Sequence, residues 1–112
     1  MAGPEKTFEN KLKRYFKSQG LYYFKFWGTM YTRAGVPDLI VCVNGRFVGV
    51  EVKSEVGRPS EIQLQNIKEI RNNGGYAVVV HPGQYQNLID LIEAIQNGYE
   101  PKARLIEKSI TP

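Results

Sequence analysis

The sequence predicts a mixed α/β fold with the element order αβββαβα, a mixed sheet flanked by helices. Three observations lead there. Apolar residues at helical spacing open and close the chain, at Phe8, Leu12, Tyr15 and Phe16 and again at Tyr85, Leu88, Ile89, Ile92 and Ile95. Between them lie apolar runs of strand length, Leu39 to Val43, Phe47 to Val52 and Tyr76 to Val80. Asn44-Gly45 joins the first two runs, and that dipeptide between apolar segments is the strongest short-range hairpin signal.

In chain order, residues 7–19 read as an amphipathic helix ending before Gly20. Leu21 to Trp27 is rich in aromatics and reads as a strand, and Gly28 to Pro37 reads as a loop. The hairpin strands follow, then a second loop from Ser54 to Pro59. Ser60 opens a helix running to about Asn73, which Gly74-Gly75 closes. Tyr76 to Val80 is uninterrupted by polar residues and reads as a buried strand. The last helix stops at Gly98, leaving residues 99–112 without a clear period, as a tail or an arm. No internal repeat or low-complexity segment interrupts this order.

A chain of 112 residues suits one domain with a single modest core. Its 42% hydrophobic and 12% aromatic content argues against disorder. No apolar run is long enough to span a bilayer, and Met1 to Lys6 lacks an apolar signal region, so the expectation is a protein that stays in the cytoplasm without a membrane partner. Cys42 is the only cysteine, which excludes an intrachain disulfide framework and a cysteine-based metal cluster. The net charge of +4 is concentrated: residues 1–33 hold seven basic side chains against Glu5 and Glu9, whereas the rest holds eight basic and nine acidic. Tyr15, Phe16, Tyr22, Tyr23, Phe24, Phe26, Trp27 and Tyr31 are interleaved with those cations. Basic residues mixed with aromatics suit a polyanion with stackable bases. The competing reading is a solvated helix face followed by a core strand.

The hairpin permits a geometric deduction about chemistry. A two-residue turn at Asn44-Gly45 sets Val43 opposite Arg46, so Asp38 falls opposite Glu51. Their Cβ atoms are then expected about 4.5–5.5 Å apart on one face, and Lys53 projects from that face too. Opposed carboxylates repel unless something compensates, and a divalent cation compensates naturally. Oxygen ligands suit Mg²⁺, with Mn²⁺ as a substitute; a retained water becomes acidic enough to attack a phosphodiester. Lys53 can orient that water or stabilise the charged transition state. The alternative is an ion-pair cluster of Asp38, Glu51 and Lys53 with no catalytic role.

These residues also carry a family resemblance. Pro37-Asp38, twelve residues, and then Glu51-Val52-Lys53 resembles the PD-(D/E)xK nuclease signature. Gly35-Val36-Pro37-Asp38-Leu39, Gly49-Val50-Glu51-Val52-Lys53 and Gly57-Arg58-Pro59-Ser60-Glu61-Ile62-Gln63 together resemble the virus-type replication-repair nuclease family, VRR-Nuc. The resemblance covers about residues 5–97 and implies a restriction-endonuclease-like core. It implies that Asp38, Glu51 and the backbone carbonyl of Val52 bind the metal and that Lys53 is catalytic. It further implies that a helix-one glutamate, here Glu9, reaches the metal; the other reading of Glu9 is a charge complementing the helix dipole. Gln63 matches the family glutamine beside the catalytic lysine, yet Ser60-x-x-Gln63 is also a capping box.

Other residues carry weaker signals. His81 has no ligand partner at zinc spacing and reads as a strand-end residue. Cys42 shares the face of Asp38 and is expected as a small core residue. The glycines at 28 and 35 fit no phosphate-cradling pattern and read as permitting a tight loop. Lys13, Arg14 and Lys17 in the basic third, and Arg33 and Arg58 on loops flanking the motif strands, are candidate phosphate contacts. The expected function is a metal-dependent DNA endonuclease. By the resemblance it is a homodimeric Holliday junction resolvase, in a bacterial cell or a virus-infected host cell. The alternatives are a flap or nicking nuclease, a non-catalytic nucleic-acid-binding module, and an assembly adaptor using its aromatic surface.

Overall fold

Asn44 and Gly45 both take positive φ, 48° and 76°, as a tight type I′ hairpin requires. In the computed structural model, which describes residues 3–100, they join strands β2 (Leu39–Val43) and β3 (Arg46–Val52). The register runs from Val43 opposite Arg46 to Leu39 opposite Val50, the pairing the turn dictates. Strand β1 (Tyr22–Lys25) adds antiparallel to β2, and β4 (Tyr76–Val80) adds parallel to β3, so the sheet order is β1-β2-β3-β4. Helix α1 (Pro4–Ser18) precedes the sheet, α2 (Glu61–Asn72) makes the β3-to-β4 crossover, and α3 (Tyr85–Gln96) follows a short 3₁₀ turn at Pro82–Gln84. Among the described residues the result is an α/β fold with a four-stranded mixed sheet and three α-helices. Among the described residues, no helix is long and apolar enough to cross a membrane.

The two faces of the sheet are covered unequally. Leu39, Val41, Val43, Val48, Val50, Val52, Val78 and Val80 form the main core with Phe8, Leu12 and Phe16 of α1 and Leu88, Leu91, Ile92 and Ile95 of α3. On the other face, Ala77 and Val79 pack under Ile67, Leu64 and Ile70 of α2. That helix packs chiefly on β4 and β3. Tyr22, Phe24, Cys42 and Phe47 project from the uncovered part and are exposed. Cys42 is therefore not the core residue expected: strand alternation fixes its face, but no described helix lies over it.

Two boundaries also differ from expectation. Helix α1 begins at Pro4, a turn earlier, because proline at N1 has its φ preset and loses no hydrogen bond there. Strand β1 ends at Lys25, since its partner β2 begins only at Leu39; one further bond joins the Phe26 N–H to the Asp38 carbonyl at 2.8 Å. The tail expected over 99–112 lies, from residue 101 onward, outside the described residues.

Candidate active site

Asp38 is held at the mouth of β2 by the connection before it. The Asn66 side-chain amide of α2 donates to the Ala34 carbonyl at 3.1 Å and to the Ile62 carbonyl at 2.8 Å. Gly35 takes φ +82°, and a Cβ there would lie 2.7 Å from Ile62 O, so the loop closes onto α2 only with glycine. Gly49 is needed for the same approach from the sheet side, since its Cβ would meet Pro37 Cγ at 2.9 Å. Loop, helix and β3 thus meet at Pro37, and Asp38 follows directly.

From there the Asp38 carboxylate reaches across to β3, where Oδ2 accepts the Val52 N–H at 2.9 Å. The hairpin register, continued past Leu39 and Val50, places Val52 opposite Pro37, which has no N–H to offer the Val52 carbonyl. Glu51 is buried, 2% exposed, on the α2 face of β3. Its Oε2 accepts the Gln63 Nε2–H at 3.1 Å and lies 3.4 Å from Lys53 Nζ. Its Oε1 is buried and has no hydrogen-bond partner among the described residues. Burial first, and then the neighbouring Asp38 charge and a hydrogen bond shared with Asp38 when Glu51 is protonated, push the Glu51 carboxyl up to about 8, while Lys53 pulls it down.

The structure thus brings together Asp38, Glu51, Val52, Lys53 and Gln63. Gln63 does so while also capping α2: its Oε1 accepts the Ser60 N–H at 2.9 Å, and its own N–H donates to Ser60 Oγ at 3.2 Å. Gln63 bonds Glu51 and caps α2 at once, because its amide has two chemically different ends. Glu51 Oε1, the Asp38 carboxylate and the Val52 carbonyl, to which Pro37 offers no N–H, are the oxygens that would hold Mg²⁺, with waters completing its shell. Among the described residues, no three His, Cys, Asp or Glu side chains converge as a metal site. Glu9 in particular does not join the pair. It is buried on α1 among Lys6, Lys13 and Lys25, at 2.8, 3.1 and 2.5 Å. Its burial opposes ionisation, but the bonds from Lys25, Lys6 and Lys13 hold its carboxyl at about 2. That cluster also replaces the simple helix-dipole reading.

The expected phosphate contacts fall into two groups. Arg14, Lys17 and Arg58 are exposed. Lys13 shares the Glu9 carboxylate with Lys6 and Lys25, and Arg33 makes a two-pronged ion pair with Glu69 of α2. Lys6 and Lys25, not among the expected phosphate contacts, gather with Lys13 around Glu9. Lys6 sits three residues before Glu9 on the helix, a readable spacing, but Lys25 arrives from β1 only through the fold. His81 follows β4, with its ring bonded to the Gly57 carbonyl at 2.8 Å and to Gln84 Oε1 at 3.0 Å, and so ties the loop after Lys53 to the strand end. A concavity of about 270 Å³, lined by Arg33, Phe47, Asn66, Glu69, Ile70, Asn73 and Gly75, is separate from the carboxylates. No known family model matches the chain, and no curated protein matches its sequence.

Proposed function

We propose that the chain is a metal-dependent DNA endonuclease with a PD-(D/E)xK core of the VRR-Nuc type, acting as a homodimer on four-way junctions. The observation that carries the reading is the contact of the buried Glu51 carboxyl with Asp38, with no donor group on Glu51 Oε1 among the described residues. Without a cation, burial and Asp38 hold Glu51 in its protonated form; a cation held by Asp38 and Glu51 would replace that proton and offset the charge of both carboxylates. Mg²⁺ or Mn²⁺ bound there supplies an acidified water and offsets charge on the phosphate.

The chain's own residues do the rest. Lys53, with its ammonium beside Glu51, orients the attacking water or stabilises the charge that develops on the phosphate. The water oxygen bonds to phosphorus, one P–O ester bond breaks, and the proton passes to the leaving alkoxide. Gln63 positions Glu51 by its hydrogen bond to Oε2 and leaves Oε1 for the metal.

One small domain covers little DNA, and a four-way junction offers two equivalent strands to a twofold enzyme. The uncovered sheet face, with Tyr22 at 75% and Phe47 at 46% exposure, supports self-association. The deciding experiment incubates the protein with labelled four-way junction, flap and duplex DNA in Mg²⁺, Mn²⁺ or EDTA. Metal-dependent cutting of the junction in preference to the others is expected. Binding without cutting leaves a nucleic-acid-binding module, and preferred cutting of flaps leaves a flap nuclease.

A further inference from the structure

The Glu9 cluster, unused by the reaction above, adjoins an exposed tryptophan. Trp27 is 71% exposed, two residues beyond the end of β1. The ammonium of Lys25 lies 5.1 Å from its ring centroid and that of Lys6 lies 5.9 Å away. Both lysines, with Lys13, also bond the single Glu9 carboxylate. Three cations on one anion leave a net positive charge, and each ammonium keeps further N–H donors for another acceptor. An aromatic face beside unneutralised cations suits a base with its flanking phosphates.

The location matters as much as the composition. Phe26 N–H bonds the Asp38 carbonyl, so Trp27 leaves the sheet at the same end as the candidate carboxylates. We propose that Trp27, Lys6 and Lys25 form a platform on which an unpaired DNA base stacks, with its phosphates on the lysines, beside the cleavage site. Glu9 is the positioning residue that gathers those lysines. Within a continuous duplex both faces of a base are already stacked; a branch point or a single-stranded end offers a free face. The platform thus selects DNA with unpaired bases. The inference rests on the nuclease reading only for the proximity to Asp38.

Trp27 is the only tryptophan of the chain, so intrinsic fluorescence reports on this position alone. The full chain in EDTA is titrated with a short oligothymidylate, with an abasic strand of equal length, and with polyglutamate. Quenching by oligothymidylate, with little by the other two, is expected. Anisotropy of a labelled oligothymidylate should show Trp27→Ala weakening binding about tenfold or more, while Trp27→Phe retains most of it. Lys6→Gln with Lys25→Gln should weaken binding and flatten its salt dependence. Equal quenching by the abasic strand or by polyglutamate overturns base stacking, as does unchanged affinity in Trp27→Ala. The measurement uses no metal, so a protein that quenches but never cuts retains the platform and loses the nuclease reading. One that cuts without quenching does the reverse.

Discussion

Gln63 holds two structures together through one side chain: its Nε2–H donates to Glu51 Oε2 at 3.1 Å while its Oε1 accepts the Ser60 N–H at 2.9 Å. The geometry of the carboxylate site is thereby coupled to the first turn of α2. The two contributions separate by mutation. Ser60→Ala removes the cap alone and should cost about 1 kcal/mol in thermal or urea unfolding, with cleavage at saturating DNA nearly unchanged. Gln63→Ala should cost a similar amount and also slow cleavage. Gln63→Glu keeps an acceptor for the Ser60 N–H but sets a third carboxylate against Glu51. It should therefore impair cleavage with little loss of helix stability. Equal cleavage in Ser60→Ala and Gln63→Glu would place Gln63 in the cap only.

The carboxylate pair predicts a pH dependence in metal-free protein. The Glu51 carboxyl is raised from 4.5 to about 8 in the folded chain, so folding favours its protonated form. That contribution is fully present below the unfolded value and is lost as pH rises through the folded one. Stability in EDTA should therefore decline between about pH 4.5 and 8, by up to about 1.4 kcal/mol per pH unit. Glu51→Gln should remove the decline and melt higher than the unmodified chain at pH 8. Added Mg²⁺ should raise the melting temperature of the unmodified chain at that pH and leave Glu51→Gln nearly unmoved. A flat stability profile in EDTA would mean that Glu51 is ionised without a cation.

Asp38→Asn, Glu51→Gln and Lys53→Ala should each reduce junction cleavage by about a hundredfold or more, with circular dichroism showing an intact fold. The fold tolerates these exchanges because none removes apolar core packing. Full activity in any two of the three would sink the assignment of the reaction to this site.

The hairpin register is readable because Asn44-Gly45 permits one tight turn, and the turn then dictates every pair from Val43 to Leu39. Ser60 and Gly74 likewise announce α2 through cap chemistry. The exposure of Cys42 is not readable, because alternation reveals which face a residue occupies, never whether a helix covers that face. The Glu9 cluster is hidden for a related reason: Lys25 comes from another element, sixteen residues away. Gln63 offers two readings because sequence spacing cannot show that the two ends of an amide act separately.

DNA affinity should fall steeply with salt, and the structure refines which cations set the slope. Arg14 and Lys17 are exposed on α1, whereas Lys13 is engaged by Glu9. Replacing Arg14 and Lys17 with Gln should reduce the slope of log K against log salt by about 1 for each phosphate no longer neutralised. An unchanged slope would move the DNA surface away from α1.

The uncovered sheet face makes the assembly testable at single residues. Tyr22, Phe24 and Phe47 surround Cys42 on β1 to β3, and no described helix packs over them. A second copy meeting this face about a twofold axis would bury all four side chains in both protomers. Light scattering at micromolar concentration should give about twice the 12.8 kDa chain mass. Phe47→Asp should yield a monomer that keeps its fold, because the side chain lies outside the described core clusters. A maleimide should label Cys42 slowly in the dimer and rapidly in Phe47→Asp. A dimer that survives Phe47→Asp with Cys42 still fully reactive would place the interface elsewhere. A monomer at every concentration would remove paired cutting and favour a nuclease that cuts one strand at a time.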